Sequence, residues 1–161
     1  MTKEEKELLF IDLCGRLPYY PYALFDLDKK FDGGFQAPII GMVNKGNTGV
    51  IKYNQTFYAY GCMTPFSIDE FRIYLRPMSS MTEEEFEKLK EYSGLKYEQL
   101  DLASYQNGTY KCLDFYLSEV PSYVVILVFD WLNAHHFDYR GLIERGLAIE
   151  VTKENNPYDV K

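Results

Sequence analysis

Two histidines, three cysteines and one tryptophan are the only such residues in 161, and that scarcity narrows the chemistry at once. Cys14, Cys62 and Cys112 are odd in number, far apart and include no Cys-x-x-Cys pair. This pattern fits reduced thiols in a cytoplasm, with Cys14 expected on the packed face of a helix. Basic clusters are missing too: the longest run is Lys29-Lys30, and 24 acidic against 17 basic residues leave a formal charge of −7. Such a chain repels phosphate backbones, so direct nucleic-acid binding is not expected. The strongest apolar run, Val120 to Phe129, contains Pro121 and is about half the length a membrane span needs, so no membrane association is expected. The N-terminus is charged and lacks the apolar stretch of a secretory signal.

Familiar catalytic signatures are absent as well. There is no GxxxxGK[ST] loop, GxGxxG turn, HExxH helix or GxSxG elbow. Asp26 to Gly33 superficially suggests a calcium loop. Counted from Asp28, Gly33 takes the sixth position, but the twelfth is Ile39 instead of the bidentate glutamate a hard cation needs. Gly46-Asn47-Thr48-Gly49 matches a nucleotide-clamping GxxG by letters, yet β-prone runs flank it where helices are required. No metal and no cofactor is expected.

What remains is ordinary in bulk and unusual in detail. Hydrophobic residues make up 47% and charged residues 25%, which are globular values. A chain of this length forms one domain and buries roughly 70% of its unfolded surface. A single domain over 1–151 is expected, with a frayed polar tail over 152–161. Fifteen tyrosines and eleven phenylalanines are the outlier, and they suit strand faces and interfaces alike.

Thr2-Lys3-Glu4-Glu5 reads as a capping box opening a helix with Leu8, Leu9, Ile11, Leu13 and Leu17 as its stripe, ending near Gly15 with Pro18 beyond. Short β-prone runs follow at Tyr22–Leu27, Phe35–Val43, Gly49–Tyr53 and Thr56–Tyr60, separated by Gly, Asn and Asp breakers. Phe71, Ile73 and Leu75 alternate like a strand, although Ser67 to Glu70 could instead open a helix. Thr82-Glu83-Glu84-Glu85 is a second capping box, before a helix with Phe86, Leu89 and Tyr92 on one face and Gly94 as its stop. Asn107-Gly108 signals a hairpin, and Leu113, Phe115 and Leu117 alternate after it. Pro121 sits where a first-turn (N1) proline would, with a buried helix read from Ser122 to about His135, then a compact turn from Tyr139 to Gly146 and a short strand at Leu147–Val151. The fold class expected is α+β: an antiparallel meander with an N-terminal helix and two further helices packed on it.

Two segments concentrate unusual side chains: Tyr74 to Met81, and Asp130 to Ile143. The second holds the single Trp, both His, and an Arg beside a Tyr. Trp, Tyr and Arg dominate binding hot spots, which makes Arg76, Trp131, His135, His136, Asp138, Tyr139 and Arg140 the candidate binding residues. The plainer alternative for Asp130 to Ile143 is a helix C-terminus and its exit turn, with Trp131 in the core and Arg140 paired to an acid. An enzymatic alternative uses His135 or His136 with Asp138 as acid–base groups. A third alternative is an acidic mimic of nucleic acid.

The pieces YLRPMSSMTEEE and DWLNAHHFDYRGLIERGLAIE, with the opening KEEKELLFIDLCGRLPY, resemble a family of small proteins from gut bacterial genomes, prophages and other mobile elements that has no assigned activity. The resemblance implies a cytoplasmic, phage-associated accessory role and carries over no catalytic residue. With the aromatic wealth and acidic charge, it leads to the expectation of a protein-binding module acting on a host or phage protein.

Overall fold

The computed structural model describes residues 1–25, 34–44, 55–95 and 121–159. The expected strand at Gly49–Tyr53, the turn signals at 32–33, 45–47 and 53–54, the Asp26 and Gly46 loops, the Asn107-Gly108 hairpin and Cys112 lie outside those residues. The chain divides into two compact units, residues 1–75 with 142–161, and residues 76–141.

In the first unit, helix α1 (Lys3–Arg16) opens with the expected capping box. Thr2 Oγ1 accepts from the Glu5 amide at 3.2 Å, and Glu5 accepts from the Thr2 amide at 2.7 Å. Each bond satisfies an amide that the helix cannot pair internally. The inward face differs from the expected stripe. Ile11 and Cys14 are exposed, while Leu9, Leu13, Asp12 and Arg16 are buried. The two apolar residues share one i,i+4 row and the ion pair forms the next, so the stripe turns with the 3.6-residue period. Arg16 grips Asp12 through two nitrogens at 2.6 and 3.0 Å, and both side chains have no solvent exposure.

Strands β1 (Tyr22–Phe25), β2 (Phe35–Asn44), β3 (Gln55–Ala59), β4 (Phe71–Leu75) and β5 (Ala148–Glu150) form a sheet in the order β3-β2-β1-β4-β5. The sheet is mixed, which corrects the antiparallel meander: β1 lies between β2 and β4, and β5 runs parallel to β4. Alternation shows that a strand is half buried but does not name its neighbour. A parallel partner also needs a long crossover, and here Leu75 and Ala148 are joined through the whole of residues 76–141. The two later helices, expected on the sheet, belong to that second unit.

Phenylalanines build the core of the first unit. Phe25 stacks on Phe35 with centroids 5.0 Å apart and meets Phe66 at 4.5 Å and Phe71 at 5.4 Å. Ala23, Ala37, Ile39, Phe57 and Ile73 complete the same face with Leu9 and Leu13. Gly34 lets β2 start against β1, because a Cβ there would stand 2.4 Å from the Phe25 carbonyl oxygen. Both sheet edges are blunted. Phe66 forms a two-bond bridge with Phe57 on β3, and Asn155 donates to the Glu150 carbonyl on β5 at 2.9 Å.

Residues 152–158, part of the tail expected to fray, find backbone partners for their polar side chains. Asn155 also accepts from the Thr152 amide at 2.7 Å. The Tyr158 hydroxyl accepts from the Tyr22 amide at 3.3 Å and donates to the Tyr74 carbonyl at 2.8 Å. These groups lie one position past the last β1–β4 pair, Ala23 with Ile73, so the phenol continues the ladder where the two strands stop pairing directly. Its ring meets Tyr22 edge-on at 5.5 Å. Burial, only partly offset by Arg16 and the Tyr22 amide bond, holds the phenol well above its usual titration range. Tyr158→Phe is expected to cost about 1–3 kcal/mol, because two partly buried backbone groups lose their partner. The pH dependence has a definite sign. The folded phenol stays protonated while the unfolded one ionises near pH 10, so the wild type loses stability above about that pH and the variant loses less. Urea unfolding at pH 7 and above pH 10 checks both; equal alkaline loss in the two proteins would contradict the assignment.

The second unit holds helices α2 (Glu83–Ser93) and α3 (Ser122–Ala134), which pack on one another. Its core comprises Met78, Met81, Phe86, Leu89, Val128, Trp131, Leu132, Phe137 and Tyr139. The second capping box is complete at Thr82 and Glu85, and Gly94 ends α2 at φ 71°. Pro121 is the N-cap of α3, one place before the first-turn position expected for it.

Candidate functional site

The seven candidate residues all fall in the second unit, and four of them are buried. At the end of α3 the chain closes with a Schellman pair: Phe137 donates to the Leu132 carbonyl at 2.9 Å and His136 to that of Asn133 at 3.1 Å. His136 occupies the left-handed position at φ 59°, where glycine is usual. From there the chain runs beside Arg76. The Arg76 amide donates to the His136 carbonyl and the Asp138 amide to the Arg76 carbonyl, both at 2.8 Å.

This bridge sets up a run of stacked planes. The Arg76 guanidinium lies 4.2 Å from the centre of the Phe137 ring. Phe137 stacks on Trp131 at 5.9 Å and 12°, and Trp131 stacks on His135 at 3.8 Å and 19°. The same guanidinium is held by Glu85, through bonds of 2.7 and 3.0 Å. Glu85 therefore serves twice, as the capping-box acid of α2 and as the partner of Arg76. Burial alone would raise its pKa, but the Arg76 bonds and the Thr82 amide overcome this and hold it below the usual glutamate range. Its stabilising share is thus present at neutral pH and is lost on acidification below that range.

Trp131, His136, Asp138 and Tyr139 are buried. The Tyr139 hydroxyl donates to Asn133 at 2.9 Å, its ring meets Phe129 at 5.0 Å, and Arg140 lies 5.0 Å over it. His135 places Nδ1 2.8 Å from the Trp131 carbonyl oxygen, so that atom is engaged with the helix terminus. Among the described residues, no group of three or more His, Cys, Asp or Glu is placed to hold a metal ion. No described helix is long and apolar enough to cross a membrane.

The first unit carries an open cleft of about 310 Å³ with Leu24, Phe71 and Leu147 as apolar walls and Asp69, Glu70 and Arg72 as its charged groups. Both acids are engaged: Asp69 with Lys6, and Glu70 with the Ser67 amide at 2.5 Å. The cleft gathers neither histidine.

The exposed aromatic surface lies elsewhere in the second unit, on residues outside the seven candidates. Tyr123 and Ile126 on α3 are 64% and 66% exposed, and Tyr92 on α2 is 49% exposed. Asp130 joins them, accepting a 3.0 Å bond from the Tyr92 hydroxyl. That bond holds Tyr92 un-ionised above the ordinary phenol range. Tyr123, Ile126 and Asp130 are spaced i, i+3, i+7, which puts them on one side of the helix. A signal for this was present: Asp130 marks the wet side of α3, and Ile126 and Tyr123 lie one and two turns before it. Comparison of the chain with protein-family models, with curated proteins and with solved structures found no match.

Proposed function

We propose that this chain is a protein-binding module and that its contact surface is the Tyr92–Tyr123–Ile126 stripe. The observation that carries this is the exposure of three large apolar side chains in register on two packed helices. Scattered single apolar residues need no explanation, but an aligned set with tyrosines is the composition of a contact surface. The stacked Arg76–Phe137–Trp131–His135 run lies in the same unit and holds the C-terminal end of α3, so the helix presents its side chains from a fixed base. The likeness to proteins of prophages and mobile elements supports a cytoplasmic accessory role, with a host or phage protein as the partner.

The test is a tagged capture from the lysate of the natural host, run in parallel with the double variant Tyr123→Ser, Ile126→Ser. Both side chains are exposed, so the variant is expected to melt within about 0.5 kcal/mol per site of the wild type. One protein recovered in near-equal amount with the wild type and lost with the variant is the expected result. A partner retained by the variant removes the stripe from the interface.

A further inference from the structure

We infer that the cleft of the first unit is a binding site for a small zwitterion, a free α-amino acid with an apolar side chain. All of its lining residues belong to the first unit, so the site is separate from the stripe on the second and does not rest on it. Arg72, the second residue of β4, pairs across the ladder with Leu24 of β1. Strand alternation turns both side chains to the face opposite Ala23, Phe25, Phe71 and Ile73 of the core. Arg72 is exposed, and among the described residues its guanidinium makes neither a hydrogen bond nor an ion pair. Glu70 is exposed too. One of its carboxylate oxygens accepts from the Ser67 amide, and the other has no partner among the described residues. Asp69, the third charged group in the lining, is already neutralised by Lys6.

Glu70 and Arg72 therefore line one cleft with opposite charges and do not pair with each other. That arrangement selects the ligand. A simple anion would satisfy Arg72 and meet the like charge of Glu70, and a simple cation would do the reverse. A free α-amino acid carries both signs: its carboxylate suits the guanidinium fork, and its ammonium suits the open oxygen of Glu70. Leu24, Phe71 and Leu147 then face its side chain, while Gly34 and Gly146 line the cleft with bare backbone that a ligand can approach closely. A volume of about 310 Å³ is at the small end for ligand sites and suits one amino acid rather than a nucleotide or a long peptide.

The experiment is saturation-transfer NMR on the whole chain with the common free amino acids, followed by titration with leucine, N-acetyl-leucine and leucinamide. Leucine is expected to bind, and the two derivatives, each lacking one of its charges, at least about tenfold more weakly. Arg72→Gln should erase the preference for leucine over leucinamide, and Glu70→Gln the preference over N-acetyl-leucine. Both side chains are exposed, and Glu70→Gln keeps an oxygen for the Ser67 amide, so both variants are expected to melt like the wild type. Equal binding of the three probes overturns the zwitterion assignment, and so does a preference that both variants retain. No saturable binding of any free amino acid at millimolar concentration overturns the site itself.

Discussion

Arg16→Met is expected to destabilise the first unit by about 3–5 kcal/mol, because it leaves the Asp12 carboxylate buried without the cation that neutralises it. Both side chains are wholly removed from solvent, so water cannot take over the lost partner. At about 2–4 °C per kcal/mol for a chain of this size, the melting transition should fall by roughly 6–20 °C. The double variant Asp12→Leu, Arg16→Met separates burial of charge from loss of packing. It removes both charges and should recover most of the loss, since apolar replacements of a buried pair are often neutral or better. A single-variant loss below about 1 kcal/mol would show that the pair is hydrated in solution and that its burial is not what holds α1.

Trp131→Ala is the second large effect and concerns the other unit. The indole is 5% exposed and is stacked on both His135 and Phe137. Truncating a buried aromatic of this kind costs about 3–5 kcal/mol through lost contact and the cavity left behind. Amide hydrogen exchange read by mass spectrometry resolves the two units separately. Protection should fall in α2 and α3 and be retained in α1 and the sheet. If protection were unchanged while partner capture was lost, Trp131 would be a contact residue and the stacked run would belong to the binding surface.

These two residues also show what could be read from the chain. The capping boxes at Thr2 and Thr82 were legible because their chemistry is local: a hydroxyl, an acid three residues on and an apolar run. Of the plainer expectation for Asp130 to Ile143, the helix end and the buried Trp131 match the structure for the same reason. Asp12 and Arg16 were not legible, since an acid and a base four residues apart look the same on a wet face as inside a core. Ile11 stands in the expected stripe of α1, and the structure exposes it. The parallel pairing of β4 with β5 is a relation between residues 73–75 and 148–150, and no local pattern encodes it. Tyr123 and Ile126 were hidden by their apolar neighbours: where every residue from Tyr123 to Phe129 is apolar, hydrophobicity cannot rank the faces, and only Asp130 sets the phase.

The position of Tyr158 has a consequence for the order in which the chain can fold during synthesis. Strands β1 to β4 leave the ribosome well before β5, and the phenol that closes the Tyr22–Tyr74 end of the β1–β4 ladder comes after β5. Until residues 148–158 have been made, β4 has a free edge and the first unit lacks its last strand. Residues 76–141 are complete earlier and have their own core, so they can settle while the sheet waits. The interval with an open edge is the period in which the nascent chain is most exposed to wrong strand pairing, and slow elongation over residues 76–147 would lengthen it.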